Sequence, residues 1–597
     1  MTAVPPGESA AGAADSPDSL DSLGHWRLRP GVAASALAGG LHLRGRDGSV
    51  TLEGSAALPA LWEVLEEALR TGGAAGLSAR AGAGTPVRAA LCTLVGQLHA
   101  HGMLVAEPGP PEGHPAGDWL LTVADRPDEA AAALDGARVE VRAADPQGAL
   151  ASAAVRALGR AGITAGPAAD AAVGGAGRVL VRARRADGSE VAVGAAVHPH
   201  GSFVTPVSDP ARAGAAAAAL AARLGLSGDP DPAPVPAASL TALVAGAAVQ
   251  RLLCALAGLP DPAAASEAGP GAAEPAAASG RHPGTDGVGV PFVLVAGAGA
   301  ARAAYRPWAA GSMEAGPPPG TLAEALDGVA ALGDPRLGVL AEPLTGALPQ
   351  LPVALAGCGP LTAGAGRADL ARLDAVCRAA ELECGAGVVV GAGSGHALGR
   401  ALRRAALRLP ARGPGAARRD PYGSGHPQAH HWWGVLTRRL GVRAQAYVAP
   451  LDGGGTAYRA DVRAGTGGGG RLLGQAVEAT AGDAAAFAAL AAVVRVQAGE
   501  QAPKPEHITS AGGELCPLAV AGVTPAPWED ERWAAGWWAA VARREAALHT
   551  ALLGLTGLRT SAWEPSGPGA RTVVAALRGC GFTVLGVQDT ATEGGER

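Results

Sequence analysis

The segment "RVEVRAADPQGALASAAVRALGRAGI", residues 138–163, restricts the fold more than any other. Its apolar alternation predicts a strand, Asp-Pro-Gln-Gly a tight loop, and the spacing that follows a helix, the opening of an α/β nucleotide-binding unit. A phosphate pocket of that kind needs glycines in the loop, so that backbone N–H groups at the helix N-terminus reach the anion. Here the loop is Ala144, Asp145, Pro146, Gln147 and Gly148. One glycine remains, Pro146 has no N–H, and Asp145 sets a negative charge where phosphate would sit. The expectation is a scaffold without its ligand.

Strand and helix signals alternate from 116 to 260. "WLLTVA", "RVEVRA", "VLVRARR" and "VAVGAAV" read as strands, and "SLTALVAGAAVQRLLCALAG" as a closing helix. The alternation predicts a parallel sheet. Residues 261–289, rich in Pro, Gly, Ala and Ser without periodicity, read as a linker. From 290 to 587 the pattern is α+β, with helices near "LARLDAVCRAAEL", "ALGRALRRAALRL" and "WAAGWWAAVARREAALHTALLGL". Residues 1–23 and 588–597 read as tails. The fold class is therefore multidomain α/β.

Residues 24–108 predict a separate module. "GVAASAL", "LHLRG" and "SVTLEG" have strand character, the last two joined by the turn signal Asp47-Gly48. Leu58, Leu61, Trp62, Val64, Leu65 and Leu69 then recur at helical spacing, as do Val87, Leu91, Leu94, Val95 and Leu98. Thr85-Pro86 suits a helix start and Gly102 a helix end. Three strands followed by apolar helices describe a winged helix-turn-helix.

The net charge of −5, with no sustained basic run, argues against nucleic acid as a partner. The seven cysteines never form C-x-x-C, so they read as reduced thiols rather than a disulfide or zinc framework. No signal peptide and no uninterrupted apolar run of membrane-spanning length is visible. A cytoplasmic chain is expected. With 90 glycines, Gly-rich stretches carry little meaning. "GVVVGAGSGHALG" (386–399) puts His396 at the third glycine of a phosphate loop, and "VLVAGAGAARAA" (293–304) puts Arg302 there. In "GHPQAHHWW", His426 and His430 stand four apart, but Pro427 argues for a surface loop. Trp533, Trp537 and Val541 share a helical face and predict core, with Trp528 and Trp538 nearby.

The order of these parts resembles the leader-binding partner proteins of azoline-forming cyclodehydratases in thiopeptide and related pathways. "WRLRPGV" (26–32), "LHLRGRDGSVTLEGSAALPALWEVL" (41–65) and "LVGQLHAHGML" (94–104) are similar to a RiPP recognition element, a winged clamp for precursor leaders. "VAVGAAVHPHGSFVTP" and "AGAAVQRLLCALAGL" resemble a degenerate ThiF-type Rossmannoid domain, without its paired C-x-x-C or ATP loop. "LGDPRLGVLAEPLTGALPQLPVALAG" (332–357) and the two helices after it resemble a YcaO-type domain. An active YcaO enzyme carries an E-x-x-E-R-like set and later glutamates for magnesium and ATP. Here Glu381 is kept, Arg378 and Leu382 stand at the matching places, and the later acids fall on Gly399, Arg400 and Arg408. Arginines do not bind magnesium.

The resemblance implies a leader docked as an added strand on Val50, Thr51, Leu52 and Glu53, beside the helix bearing Val87, Arg88, Leu91, Leu94, Val95 and Leu98. The same apolar residues also suit the module's own core, and Arg88 alone is too little charge for a DNA-reading helix. The implied role is a non-catalytic subunit binding no cofactor or metal, with ATP and magnesium held by a separate YcaO enzyme and no membrane partner. A homodimer stays open. So do two other readings: a divergent ATP-dependent cyclodehydratase in its own right, and an α/β binding protein of unrelated purpose.

Overall fold

A computed structural model describes residues 26–46, 48–71, 77, 85–107, 109–175, 177–226, 238–264, 290–297, 303–309, 315–409, 425–451, 455–465, 470–499, 508–510 and 532–588. The 1–23 tail, residues 589–597 of the other expected tail, most of the 261–289 linker, Asp47, Arg302, Cys516, Trp528 and the side chain of Trp533 lie outside that description, whereas Gln588, expected to open the tail, ends a strand. The chain divides into two compact units. One holds the described residues up to Ala217 with 238–264 and Leu294–Gly297, and the other is built mainly from 304 onward.

The first unit begins with β1 (Trp26–Leu28), β2 (Ala33–Leu37), β3 (Gly40–Arg44) and β4 (Ser49–Glu53), then α1 (Leu58–Thr71), α2 (Pro86–Ala100) and β5 (Leu104–Ala106). Strands β2, β3 and β4 form one antiparallel sheet in that order, and β1 pairs with β5. Thr85 caps α2 by accepting from the Arg88 N–H, with Pro86 in the first turn. Gly102, at φ +62°, follows the helix end in the left-handed conformation that favours glycine. Leu41, Leu43, Trp62, Leu65, Leu69, Leu91, Leu94, Val95 and Leu98 share one buried core, each large side chain contributing roughly 1.5–3 kcal/mol.

Next come α3 (Gly117–Val123), α4 (Pro127–Asp135), β6 (Arg138–Ala143), α5 (Ala149–Arg160), β7 (Ala165–Ala169), β8 (Arg178–Arg184), β9 (Glu190–His198), β10 (Gly201–Val204), α6 (Pro210–Arg223), α7 (Ala238–Leu256) and β11 (Phe292–Gly297). "WLLTVA" is thus α3, not a strand. A short apolar run does not distinguish the two by periodicity, and here Arg29 decides. Its guanidinium donates to the carbonyls of Leu121, Thr122 and Ala124 and pairs with Asp125, where the helix leaves carbonyls unpaired.

The expected parallel sheet is a second correction. Its order is β11-β10-β9-β8-β6-β7, and the only parallel pair in that series is β6 with β7, which α5 connects. The remaining pairs are antiparallel. The turn at Asp187-Gly188 and the two residues between β9 and β10 are too short for a crossover, so the chain folds straight back. Helix α7 packs on α5 and β9 through a nearly continuous apolar surface.

The second unit contains β12 (Ala303–Pro307), α8 (Leu322–Leu332), β13 (Ala354–Cys358), β14 (Leu361–Ala365), α9 (Ala368–Cys384), β15 (Val388–Gly391), α10 (Ser394–Arg408), α11 (Pro427–Gly434), β16 (Ala444–Pro450), β17 (Tyr458–Ala464), β18 (Leu472–Glu478), α12 (Ala481–Ala498), β19 (Ile508–Ser510), α13 (Arg532–Thr556), β20 (Arg559–Ala562), α14 (Pro568–Gly579) and β21 (Thr583–Gln588). Among the described residues three small sheets result: β13-β14-β19, β15-β21-β20 and β16-β17-β18. Alanine has a structural use in α12, which lies on β18 so closely that a Cβ at Gly474 would meet the Ala488 carbonyl oxygen. Helices α7 and α12 are long and apolar enough by length and composition to cross a membrane, but Arg251 interrupts the first and Asp483 and Arg495 the second, and 56% and 72% of their apolar windows are buried within the protein.

Residues 427–434 form α11 rather than a surface loop. Pro427 occupies the first turn, which tolerates proline, and His426 caps it by accepting from the Ala429 N–H. His426 Nε2 also lies 3.2 Å from Asp483. Trp537 and Val541 are buried, Trp537 stacking on Phe487 with 4.6 Å between ring centres. Six cysteines of the described residues are free thiols.

Candidate functional site

Strand β4 presents an edge whose backbone direction follows from its register. Leu41 faces Leu52 and Leu43 faces Val50. The bonds Gly54 N–H to Gly39 O and Gly45 N–H to Gly48 O continue the same ladder at both ends. Because hydrogen-bonded pairs alternate along an antiparallel ladder, Val50 and Leu52 direct their backbone groups toward β3. Ser49, Thr51 and Glu53 direct theirs to the outer edge. Among the described residues, β3 is the sole partner strand of β4. Side chains alternate with the same period: Val50 and Leu52 pack on the module core, while Ser49, Thr51 and Glu53 are exposed.

The helix residues named with this edge fall into two groups. Leu91, Leu94, Val95 and Leu98 are 0–1% exposed and belong to the core. Val87, at 47% exposure, and the half-buried Arg88 lie at the first turn of α2. Leu91, Leu94, Val95 and Leu98 therefore belong to the module core, against which Val50 and Leu52 also pack, rather than lining an open groove.

In the 144–148 loop, Asp145 accepts hydrogen bonds from the loop's own backbone. Its Oδ1 accepts from the Gln147 N–H at 3.0 Å and its carbonyl from the Gly148 N–H at 3.1 Å. The N–H groups of Gln147 and Gly148 are thus satisfied from within the loop. In the 386–399 stretch, Gly391 serves packing, because a Cβ there would lie 2.4 Å from the Ala397 nitrogen. His396 Nδ1 accepts from the Ala392 N–H. Burial, joined by the nearby Arg400 charge, drives His396 down to about 3, so the ring is neutral.

Helices α9 and α10 bring Asp374, Arg378, Glu381, Arg400 and Arg404 together. Glu381 Oε1 accepts from Arg400 Nη2 at 2.9 Å and from the Val390 N–H at 3.1 Å. Its Oε2 accepts from Arg378 Nη1 at 2.9 Å and Arg404 Nη2 at 2.8 Å. Four donors fill the four acceptor positions of a carboxylate. Burial alone would raise this carboxyl, but Arg400, Arg404 and Arg378 overrule it and hold Glu381 at about 2. Arg400 Nη1 donates to Asp374 at 3.1 Å, and Gly399 is buried in the same helix. A divalent cation needs carboxylate oxygens with open lone pairs, and at Glu381 guanidinium hydrogens and a backbone N–H occupy them.

A second centre surrounds Arg403. Its guanidinium holds Glu478 of β18, at 3.1 and 2.9 Å, and Glu545 of α13, and His549 lies 2.8 Å from Glu545. Burial raises the Glu478 carboxyl, whereas the Arg403 charge overrules burial at Glu545 and lowers it. Two carboxylates sharing one guanidinium separate in this way. Arg403, Glu478 and Glu545 carry no local motif and were not singled out in the sequence. Asp374, by contrast, stands seven residues before Glu381, two helical turns along one face, a legible signal.

No family model matches the chain, and no curated protein matches it. Among solved structures it is similar to a protein described as "Heterocyclase in complex with substrate and Cofactor", at 13% identity over 94% of each chain with a TM-score of 0.40.

Proposed function

We propose that this chain captures the leader of a ribosomally made precursor peptide and presents its core to a separate, ATP-using YcaO-type cyclodehydratase that forms thiazoline or oxazoline rings. The observation that carries the reading is the β4 edge, where the outward backbone groups of Ser49, Thr51 and Glu53 stand without a partner strand among the described residues. An extended peptide gains affinity there from main-chain hydrogen bonds, and covers the half-buried Val50 and Leu52. In this reading residues 24–108 are the winged clamp, 116–260 a degenerate ThiF-like domain and 290–587 a degenerate YcaO-like domain. The saturated Glu381 carboxylate supports leaving ATP and magnesium to the partner.

Hydrogen exchange on the full chain tests it, using as leader the synthetic N-terminal part of any short Cys- and Ser-rich peptide found encoded beside the chain. The amides of Ser49, Thr51 and Glu53 are expected to gain protection while those of Val50 and Leu52, already in the ladder, change little. Binding without protection at β4 would move the leader elsewhere. Leader-stimulated ATP hydrolysis by the chain alone would favour a divergent enzyme instead.

A further inference from the structure

Beside the Glu381 centre lies an open cleft of about 580 Å³, lined by Arg378, Arg404, Arg408, Gln475 and the Gly385–Gly387 loop, with Leu382, Val388 and Leu407 as apolar walls. Its volume falls within the range of small-ligand sites, roughly 300–1,000 Å³. Among the described residues Glu381 is the only carboxylate in the lining, and its oxygens are already engaged by Arg378, Arg400 and Arg404. Those three guanidiniums face two carboxylates, Asp374 and Glu381, so the group retains positive charge. Arg404 Nε is buried and finds no hydrogen-bond partner among the described residues.

We propose that this cleft binds a compact phosphate dianion, of the inorganic phosphate or pyrophosphate class, without a divalent cation. Guanidiniums from two helices converge on it, and their planar forks match phosphate oxygens in paired hydrogen bonds. Low-dielectric walls concentrate the field of the arginines into the cleft. Gly385 has open space where a Cβ would stand, so the loop leaves room for the ligand. The proposal goes beyond leader capture and does not depend on it.

Titration calorimetry of the full chain with sodium pyrophosphate tests it, in metal-depleted buffer at chloride-fixed ionic strength. Saturable binding at one site is expected, unchanged by added magnesium and weakened at least about tenfold in Arg378→Gln/Arg408→Gln. Should the double variant melt early, Arg408→Gln alone, at an exposed position, is expected to weaken binding several-fold while melting closer to wild type. Absence of saturable heat at millimolar pyrophosphate, a requirement for magnesium, or equal affinity in a folded variant would overturn the proposal. So would equal affinity for malonate, a dicarboxylate of similar charge, or much tighter binding of ADP, which would make the nucleoside the recognised part.

Discussion

Arg400 reaches from α10 to Glu381 on α9 with 2.9 Å between Nη2 and Oε1, and both side chains are almost fully buried. The same guanidinium holds Asp374. This pair ties the two helices together through buried, mutually neutralising charge.

Arg400→Met is therefore expected to destabilise the second unit by about 3–5 kcal/mol, because it strands buried carboxylate charge. Chemical denaturation against wild type measures it. Glu381 itself has a folded pKa depressed to about 2. Its contribution is complete above the ordinary carboxylate value and is lost as pH falls toward 2, so the cost of the Arg400 substitution should shrink with acidification. A cost that grows in acid would contradict the pairing.

Glu478 titrates with the opposite sign. Its folded pKa is raised by burial, so the folded protein keeps a proton that the unfolded chain has released. That contribution is present below the ordinary carboxylate value and is lost as pH rises through the raised one. Glu478→Gln carries no such proton. Its stability relative to wild type should improve by on the order of 1 kcal/mol between about pH 5 and about pH 8, read from paired denaturation curves. A difference independent of pH would show that Glu478 does not take up the proton.

At the β4 edge, Thr51→Pro removes an outward N–H while the β3–β4 ladder keeps its bonds through Val50 and Leu52. Leader binding is expected to weaken at least about tenfold with a small change in melting temperature. Thr51→Val, which loses the hydroxyl contact to His42 but keeps the N–H, should bind nearly as wild type. Leu52→Pro should instead unfold the sheet, since its N–H lies in the ladder. Fluorescence anisotropy alongside thermal melts separates the three. A folded Thr51→Pro variant with wild-type affinity would remove β4 as the docking edge.

Arg29→Ala should cost about 1.5–3 kcal/mol, because the carbonyls of Leu121, Thr122 and Ala124 lose a charged donor. For the same reason residues 24–108 expressed alone should fold on their own core yet melt below the full chain. Equal stability of the isolated segment would show that the Arg29 contacts add nothing.

Local periodicity and capping were legible in the sequence: Thr85-Pro86 opened α2, Leu91, Leu94, Val95 and Leu98 marked its buried face, and Asp-Pro-Gln-Gly gave the tight loop between β6 and α5. These depend on neighbours within a turn or two. Tertiary structure decided the rest. "WLLTVA" became a helix because Arg29, about ninety residues earlier, satisfies its end. Strands β8, β9 and β10 ran antiparallel because short connections turn the chain back, while β6 and β7, joined by α5, stayed parallel. Arg403 found Glu478 and Glu545 across 75 and 142 residues of chain. A buried charge selects whichever opposite charge folding brings within about 3 Å, and no spacing along the chain encodes that choice.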